Sequence, residues 1–418
     1  MSKLTKYKFS DLYEMSSGIS STKEQAGHGS PFVSFSTVFN NYFLPDVLPE
    51  LMNTTEKEQD IFSVKKDDIF ITRTSETVDA LAMGCVATKD YPKATFSGFV
   101  KRLRPKTSGI VYSKYIAFFL RSRYFRKVID CNTIMTLRAS FNEDIFSFLY
   151  LYLPEYEEQV RIGDLLYKIE NKMRLNCKIN DNLQQQAMLL FDYWFTQFDF
   201  PDSNENPYHS SGGKLVWNNQ LKKNIPLGWE VKPLSSICEI CLGGTPSTTM
   251  SEYWNGSIAW LNSGEVAQFP VVSSEKKITQ LGMENSPAKL MNKNTTIVSI
   301  TGNIRASILA IDACANQSVV GILETETFKS PFIYQNMLRL LNYYTSISTG
   351  NCQKHISKGA IEESLVCIPD SSTLKKYYTL AEPLYKQMHE IALENQHLTS
   401  LRDWLLPMLM NGQATISE

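Results

Sequence analysis

Two stretches of the chain share a narrow pattern of apolar positions spaced four and three residues apart. In residues 155–198 the positions are Ile162, Leu166, Ile169, Met173, Asn176, Asn180, Leu183, Ala187, Leu190 and Trp194. Near the end they are Leu374, Tyr377, Ala381, Leu384, Met388, Ile391, Asn395, Leu398, then Leu401 or Arg402, then Leu405. Seams of this length predict two helices that pair as a coiled coil, with asparagines setting the register. Two amphipathic helices lying on domain cores are the alternative, and Pro383 is expected to kink the second helix or begin a new segment.

Residues 1–154 show a different pattern, with short β-like runs separated by glycine, proline and serine. The runs are "PFVSF", "DDIFITRT", "ATFSGFVKRL" and "FLYLYLP", and "SKYIAFFLRSRYFRKVID" has the apolar spacing of a helix. These features predict a mixed α/β domain with irregular loops. Residues 199–225 are rich in Asn, Ser, Gly and Pro, which predicts a linker.

The second half of the chain repeats the first. At an offset of 215, Pro154 matches Pro369, Leu165 matches Leu380, Met173 matches Met388 and Asn180 matches Asn395. Residues 294–303 echo residues 66–75 at an offset of 228. We therefore predict one module present twice, with α/β domains at 1–154 and 226–369 and long helices at 155–198 and 370–413.

The charge is unevenly distributed, although the formal net charge is only −1. No Asp or Glu occurs from Tyr91 to Ile129, a span with many lysines and arginines, and Thr327 to Ile361 is similar but less basic. A local positive field is what a polyanion needs, whatever the sum over the chain. The predicted DNA phosphate contacts are Lys93, Lys101, Arg102, Arg104, Lys106, Lys329 and Lys358. The alternative to a DNA-binding surface is an ordinary solvent-exposed surface that happens to lack carboxylates.

Catalytic and metal-binding motifs are absent from the sequence. There is no GxxxxGKS loop, no Asn/Asp-Pro-Pro-aromatic motif and no HExxH, and the Cys238–Cys241 pair has no second ligand pair. We therefore predict a binding protein with no catalytic residues and no metal. No apolar run is long enough for a membrane span and the N-terminus does not resemble a signal peptide, so we expect a cytoplasmic protein.

This organisation resembles the specificity (S) subunit of type I restriction–modification systems. The resemblance covers nearly the whole chain and is strongest in "GWEVKPL", "GGTPST", "YWNGSIAWLNSGEV", "ANQSVVGI", "STGNCQKHIS", "EEQVRIGDLLYKIENKM" and "LTSLRDWLLPMLMNGQ". It implies two target recognition domains on double-stranded DNA, one for each half of a split target. It implies an antiparallel coiled coil between them, on a pseudo-twofold frame.

The resemblance also implies partners and cofactors. Two methyltransferase (modification) subunits would bring S-adenosylmethionine, restriction subunits would bring ATP-driven translocation with Mg²⁺, and this chain itself would hold no cofactor. Alternatives are a specificity subunit of another restriction class, a coiled-coil scaffold that binds no DNA, and an enzyme with an unrecognised site.

Base-reading candidates are polar residues on irregular loops at corresponding places in both halves. In the second half they are Thr245, Ser247, Asn303, Gln317 and Lys354; in the first they are Ser20, Ser21, Arg73, Ser75 and Arg138. Arginine is the common bidentate partner of guanine and glutamine can read adenine. For each of these candidates the alternative is that the residue forms a turn and contacts no base.

Overall fold

The structure is a computed structural model that describes residues 4–20, 22–75, 81–132, 139–350, 354–414 and 416. It contains two compact units. Unit 1 consists of Met1–Met173 with Leu398–Glu418, and unit 2 consists of Arg174–His397. The predicted bounds set the long helices apart from the domains, whereas packing assigns a part of both helices to each unit.

Unit 1 combines short strands with short helices ahead of its long helix. Its strands are β1 Thr5–Lys8, β2 Tyr13–Ser17, β3 Ala26–Val33, β4 Glu50–Met52, β5 Ile69–Thr72, β6 Thr74–Ser75, β7 Gly84–Val86, β8 Thr95–Phe96, β9 Val100–Pro105, β10 Ala139–Ser140 and β11 Tyr150–Leu153. Its helices are α1 Phe9–Leu12, α2 Phe35–Asn40, α3 Glu56–Ile61, α4 Ser113–Phe119, α5 Arg123–Asn132, α6 Glu143–Phe148 and the first part of α7 Tyr156–Phe191. The main sheet has the order β2-β9-β5-β7, and β4-β3-β8, β1-β11 and β6-β10 form smaller sheets.

Unit 2 begins in the second part of α7, which continues as a π-helical turn at Asp192–Thr196. Its strands are β12 Leu215–Asn218, β13 Lys223–Pro226, β14 Glu230–Pro233, β15 Ile240–Leu242, β16 Trp254–Leu261, β17 Lys276–Ile278, β18 Thr296–Ser299, β19 Ala306–Ile308, β20 Ala313–Ala315, β21 Val319–Ile322 and β22 Leu365–Ile368. Its helices are α8 Gln280–Glu284, α9 Ser330–Ile347, α10 Lys358–Glu362 and most of α11 Ser371–Met410. The sheets are β15-β21-β18-β19, β17-β16-β20, β14-β22 and β12-β13.

The two units repeat the same pairing scheme. In unit 1, β9 lies between β2 and β5, and β3 pairs with β8 in parallel; in unit 2, β21 lies between β15 and β18, and β16 pairs with β20 in parallel. The predicted duplication is therefore present in the strand order as well as in the sequence.

Hydrogen bonds beside the main sheets correct one predicted offset. The Arg73 N–H donates to Phe99 O in unit 1 and the Ile300 N–H makes the corresponding bond to Ser318 O in unit 2, so the equivalent positions differ by 227 residues and not by 228. Asp67 and Asn294, also 227 apart, share a left-handed backbone with φ of 67° and 71°. The error arose because β5 is buried on both faces, and such an apolar run does not define its own register.

Each unit contains an antiparallel pair of segments from the two long helices. In unit 1 the Arg402 guanidinium lies 3.0 Å from the Glu170 carboxylate, and Thr399 contacts Met173. Leu401 is 43% exposed, so Arg402 occupies the seam position that the sequence left open. The fold class predicted from sequence, with two related α/β domains and two long helices paired antiparallel, is confirmed.

In unit 2 the Asn176 amide donates to the side-chain oxygens of Glu394 (2.7 Å) and Asn395 (2.8 Å), and the Asn180 amide donates to the Met388 carbonyl. Further along the pair, a cluster of Leu183, Ala187, Tyr385 and Met388 excludes water. Buried asparagines that bond across a helix pair favour one register over its neighbours.

Two local predictions were wrong. Residues 113–130 form two helices, α4 and α5, because Ser122 accepts from the Phe125 N–H and caps a new start. Residues 199–225 are not a plain linker, because β12 and β13 form a hairpin there and Phe200 packs on Trp229. Helix α11 continues through Pro383, so the proline does not begin a new segment, and a kink at this position stays a prediction.

Each unit has its own core. In unit 1, Phe9, Leu103 and Phe118 pack with residues from the end of α11, namely Leu406, Leu409 and Met410. In unit 2, Phe191, Phe195, Phe332 and Tyr377 form an aromatic cluster under the main sheet. None of the helices in the described part of the chain is long and apolar enough to span a membrane.

Candidate nucleic-acid interface

In unit 1, four loops meet at one end of the main sheet. The Ile19 N–H donates to Phe96 O (2.9 Å), the Gly98 N–H donates to Ile19 O (2.7 Å), and the Arg73 N–H donates to Phe99 O (2.9 Å). The Phe141 N–H closes the group by donating to Arg73 O (2.8 Å). We call residues 18–20, 73–74, 97–99 and 140–141 rim 1.

Unit 2 builds the matching group, which we call rim 2, from residues 243–245, 300–303, 316–318 and 354–356. The Gly244 N–H donates to Ala315 O (2.8 Å), the Ile300 N–H donates to Ser318 O (2.9 Å), and the Ile356 N–H donates to Ile300 O (3.0 Å). These bonds correspond one for one to the Ile19, Arg73 and Phe141 bonds of rim 1. The two rims therefore share a backbone frame.

Glycine is required at the same place in both frames. A Cβ on Gly18 would lie 2.3 Å from Ser97 O, and one on Gly243 would lie 2.2 Å from Asn316 O. A side chain cannot be accommodated at such distances, so each glycine lets the first loop lie directly against its neighbour.

The exposed side chains on the shared frame differ between the rims. In rim 2 the Thr245 hydroxyl donates to the Gln317 side-chain oxygen (2.5 Å), whereas rim 1 has Ser20 beside Gly98 at those two positions. In rim 1 the Arg73 guanidinium donates to Gly98 O (3.3 Å), whereas rim 2 has Ile300 in place of arginine.

Most predicted base-reading residues lie on these rims. Ser20 and Arg73 are on rim 1, and Thr245, Asn303, Gln317 and Lys354 are on rim 2. Ser247 lies beyond rim 2, where its hydroxyl pairs with that of Thr249 (2.8 Å). Ser21, Arg138 and the side chain of Ser75 lie outside the described residues. Base contact by any of them stays a prediction.

Two exposed residues beside the predicted ones were missed. Phe99 on rim 1 is 62% exposed, and Arg305, two residues beyond Asn303, is exposed and makes no ion pair within the described residues. The sequence position of Phe99 could have identified it as exposed, because it follows Gly98 in a loop just before a buried strand and lies outside the core.

The basic residues of β9 have internal partners. Arg104 forms a bidentate pair with the buried Asp68 carboxylate (2.6 and 2.7 Å), and Arg102 donates to Ser63 O (2.7 Å) while covering the Phe96 ring. These contacts favour structural roles for Arg102 and Arg104 over the predicted phosphate contacts.

Of the basic residues of β9, Lys101 is the one that lies next to rim 1. Its amine donates to the Ser17 hydroxyl (2.8 Å), and burial followed by the nearby Arg73 guanidinium lowers its pKa. Two cations so close together favour an anion beside them.

The other predicted phosphate contacts are scattered. Lys93 is exposed with a φ of 60°, and the Lys106 amine donates to Ser10 O (2.8 Å). Lys329 pairs with Glu382, and Lys358 pairs with Glu362 (2.8 Å). No cluster of metal-ligating side chains occurs within the described residues.

The sequence matches a known family over most of its length. The family described as "Type I restriction modification DNA specificity domain" matches residues 1–185 and 226–399. The chain belongs to this family. The resemblance drawn from the sequence is confirmed, and both matches include a rim. As a member with two specificity domains, the chain is the DNA-recognition component of a type I restriction–modification system.

Two curated relatives are similar to this chain over nearly their whole lengths. The MjaIX specificity subunit of Methanocaldococcus jannaschii is 26% identical over 98% of this chain and 93% of its own length. The HindI specificity subunit of Haemophilus influenzae is 20% identical over 91% and 94%. The crystal structure of a type I S subunit from M. genitalium has the same fold, with a TM-score of 0.61 at 14% identity over 98% and 96% of the two chains.

Proposed function

We propose that rim 1 and rim 2 each read one half of a split DNA target. The observation that carries this proposal is that one backbone frame presents different side chains in the two units. Base readout depends on a few polar side chains held in a fixed frame. A duplicated frame with altered side chains therefore suits two half-sites of different sequence.

The chemistry of modification and cleavage belongs to partners in this proposal. The chain itself is non-catalytic and binds two methyltransferase subunits together with restriction subunits. S-adenosylmethionine, ATP and Mg²⁺ bind to those partners. Duplex DNA is the shared substrate, and the specificity chain selects where on it the partners act.

The test is methylome sequencing of cells that express this chain with its methyltransferase partner. We expect a bipartite motif with an unspecified gap. Arg73→Ala should relax one half of that motif, and the double change Asn303→Ala with Gln317→Ala should relax the other half. Arg123→Ala, a change at an exposed residue of α5 away from rim 1, is the control and should leave both halves intact.

Relaxation of both halves by Arg73→Ala in a folded complex would contradict independent readers. Absence of any methylation motif for the unmodified chain, together with absence of salt-dependent DNA binding, would instead favour a scaffold that binds no DNA.

A further inference from the structure

Phe99 places a large apolar side chain on rim 1 in an exposed position. It is 62% exposed, whereas Val100, the next residue, is fully buried. The Arg73 guanidinium donates to the carbonyl of Gly98, the residue before Phe99 (3.3 Å), and Lys101 follows two residues later. The exposed ring therefore lies on a loop next to two cationic residues.

A hydrogen-bonded turn fixes the backbone at Phe99. The Phe99 N–H donates to the Ser97 hydroxyl (3.2 Å), the Val100 N–H donates to Ser97 O (2.9 Å), and the Arg73 N–H donates to Phe99 O (2.9 Å). Both backbone groups of Phe99 are thus bonded within the rim, so its side chain starts from a defined position. Phenylalanine has few rotatable bonds, and ordering it on binding costs less than ordering a long flexible side chain.

Rim 2 has the same turn with a different residue at this position. The Ser318 N–H donates to the Asn316 side-chain oxygen (3.0 Å), the Val319 N–H donates to Asn316 O (3.1 Å), and the Ile300 N–H donates to Ser318 O (2.9 Å). Ser318 is therefore the counterpart of Phe99. The turn itself does not require an aromatic residue, so the presence of one in rim 1 indicates a contact outside the chain.

We propose that Phe99 contacts the 5-methyl group of a thymine in the major groove, and that the half-site read by rim 1 therefore contains an A·T pair. Thymine presents this methyl group in the major groove, and apolar side chains, phenylalanine among them, recognise it by contact. The same groove presents the guanine acceptors that suit Arg73, so one approach to the duplex serves both residues. The inference deepens the proposed function and rests on it, because it takes rim 1 as the reader of one half-site.

The alternative contact for an exposed phenylalanine is a wedge in the minor groove. Such a wedge separates stacked bases and bends the duplex, and it does not depend on a methyl group. The minor groove also lacks the guanine edge that an arginine reads in the major groove. The position of Arg73 beside Gly98 therefore favours the methyl contact over the wedge.

The test replaces thymines of the target by uracil, which pairs as thymine does but lacks the methyl group. Methylome sequencing first defines the motif, and each thymine of the half-site that Arg73→Ala relaxes is then changed singly, in either strand. Affinity is measured for the unmodified chain and for Phe99→Ala, each in complex with the methyltransferase partner. At one position, uracil should lower the affinity of the unmodified complex by roughly 4-fold, which is the contribution of one methyl group, and should leave that of the Phe99→Ala complex unchanged.

Phe148→Ala is the matched control, because Phe148 is the same residue type in unit 1, is 76% exposed and lies outside rim 1. Its complex should respond to uracil as the unmodified complex does. Uracil in the other half-site should have the same effect with and without Phe99→Ala. Phe99→Ser, which places the rim 2 residue in the same turn, should behave as Phe99→Ala and keeps the test independent of any change in folding caused by alanine.

A half-site without an A·T pair would overturn the proposal, as would an equal response to uracil in the unmodified and Phe99→Ala complexes. Loss of DNA bending in Phe99→Ala without a response to uracil would indicate a wedge and would also overturn it. These results leave the proposed function standing if Arg73→Ala still relaxes one half of the motif. Relaxation of both halves or of neither by Arg73→Ala would count against the proposed function itself, so the two failures are distinguishable.

Discussion

Arg104 shows how a residue that the sequence assigned to DNA is held by the fold. Its guanidinium pairs with Asp68, whose side chain is fully buried. Arg104→Ala would leave that carboxylate buried without its cation, and breaking such a pair costs about 3–5 kcal/mol. We expect a loss of that order in the free energy of urea unfolding of unit 1, against less than about 0.5 kcal/mol for the surface change Lys106→Ala. Weakened DNA binding at unchanged stability would restore the phosphate role.

His389 makes a prediction about pH. Burial, and then the charge of Lys293, lowers its pKa to about 4, and its buried Nε2 has no hydrogen-bond partner among the residues that the structure describes. The unfolded chain takes up the proton near pH 6.5 and the folded chain only near pH 4. The free energy of unfolding of unit 2 should therefore fall as the pH drops from about 6.5 to about 4, by about 3 kcal/mol in total.

Urea unfolding at a series of pH values measures this loss, with His389→Phe as the comparison. Because the variant has no imidazole to protonate, its stability should vary less over the same interval. An equal pH dependence in both proteins would show that other groups are responsible.

At the residue scale the sequence located the loops but not the partners of the cations. The acid-free span from Tyr91 to Ile129 suggested a free basic surface. Asp68 lies outside that span, and pairing of β5 with β9 brings it to Arg104. A count of charges along the chain does not reveal a contact made between two strands. Ser20 and Thr245 could be found because the glycines next to them indicate a loop in the sequence itself.

Among the elements, α7 offers a matched pair of leucines. Leu183 is 7% exposed within the helix pair of unit 2, and Leu189 on the same helix is 65% exposed. Leu183→Asp would place a charge against Ala187, Tyr385 and Met388, and should lower the free energy of unfolding by about 3–5 kcal/mol. Leu189→Asp should change it by less than about 0.5 kcal/mol. Equal thermal unfolding of both variants, followed by helical circular dichroism, would contradict the pairing.

The elements also show where sequence patterns were sufficient. The long helices were predictable because their seams run for many turns, so that single exceptions such as Pro383 or Leu401 carry little weight. The hairpin at Leu215–Pro226 was missed because its strands are short and its Asn-rich turn has the composition of a linker. Short elements leave too few positions for a periodicity to appear.

For the whole molecule, the end of α11 tests the composition of unit 1. Ending the chain after residue 404 would remove Leu406, Leu409 and Met410 from the unit 1 core. Amide hydrogen exchange should then become faster in β9 and α4, while protection in β18 and α9 stays unchanged. A chain ending after Ile416 keeps these residues and the Ala414 and Ile416 side chains that pack on the same core, so it is the control and should exchange as the full chain does. Equal loss of protection in both units would show that the core is not divided as described.

The division of the chain into units also sets an order of events on the ribosome. Unit 2 is continuous from Arg174 to His397, whereas unit 1 draws on both ends of the chain. At about 5–20 residues per second, the segment that completes the unit 1 core is made roughly 10–45 s after Met173. The domain synthesised first is therefore expected to reach its native state last. During that interval its incomplete core is the part of the nascent protein most exposed to chaperones and proteases.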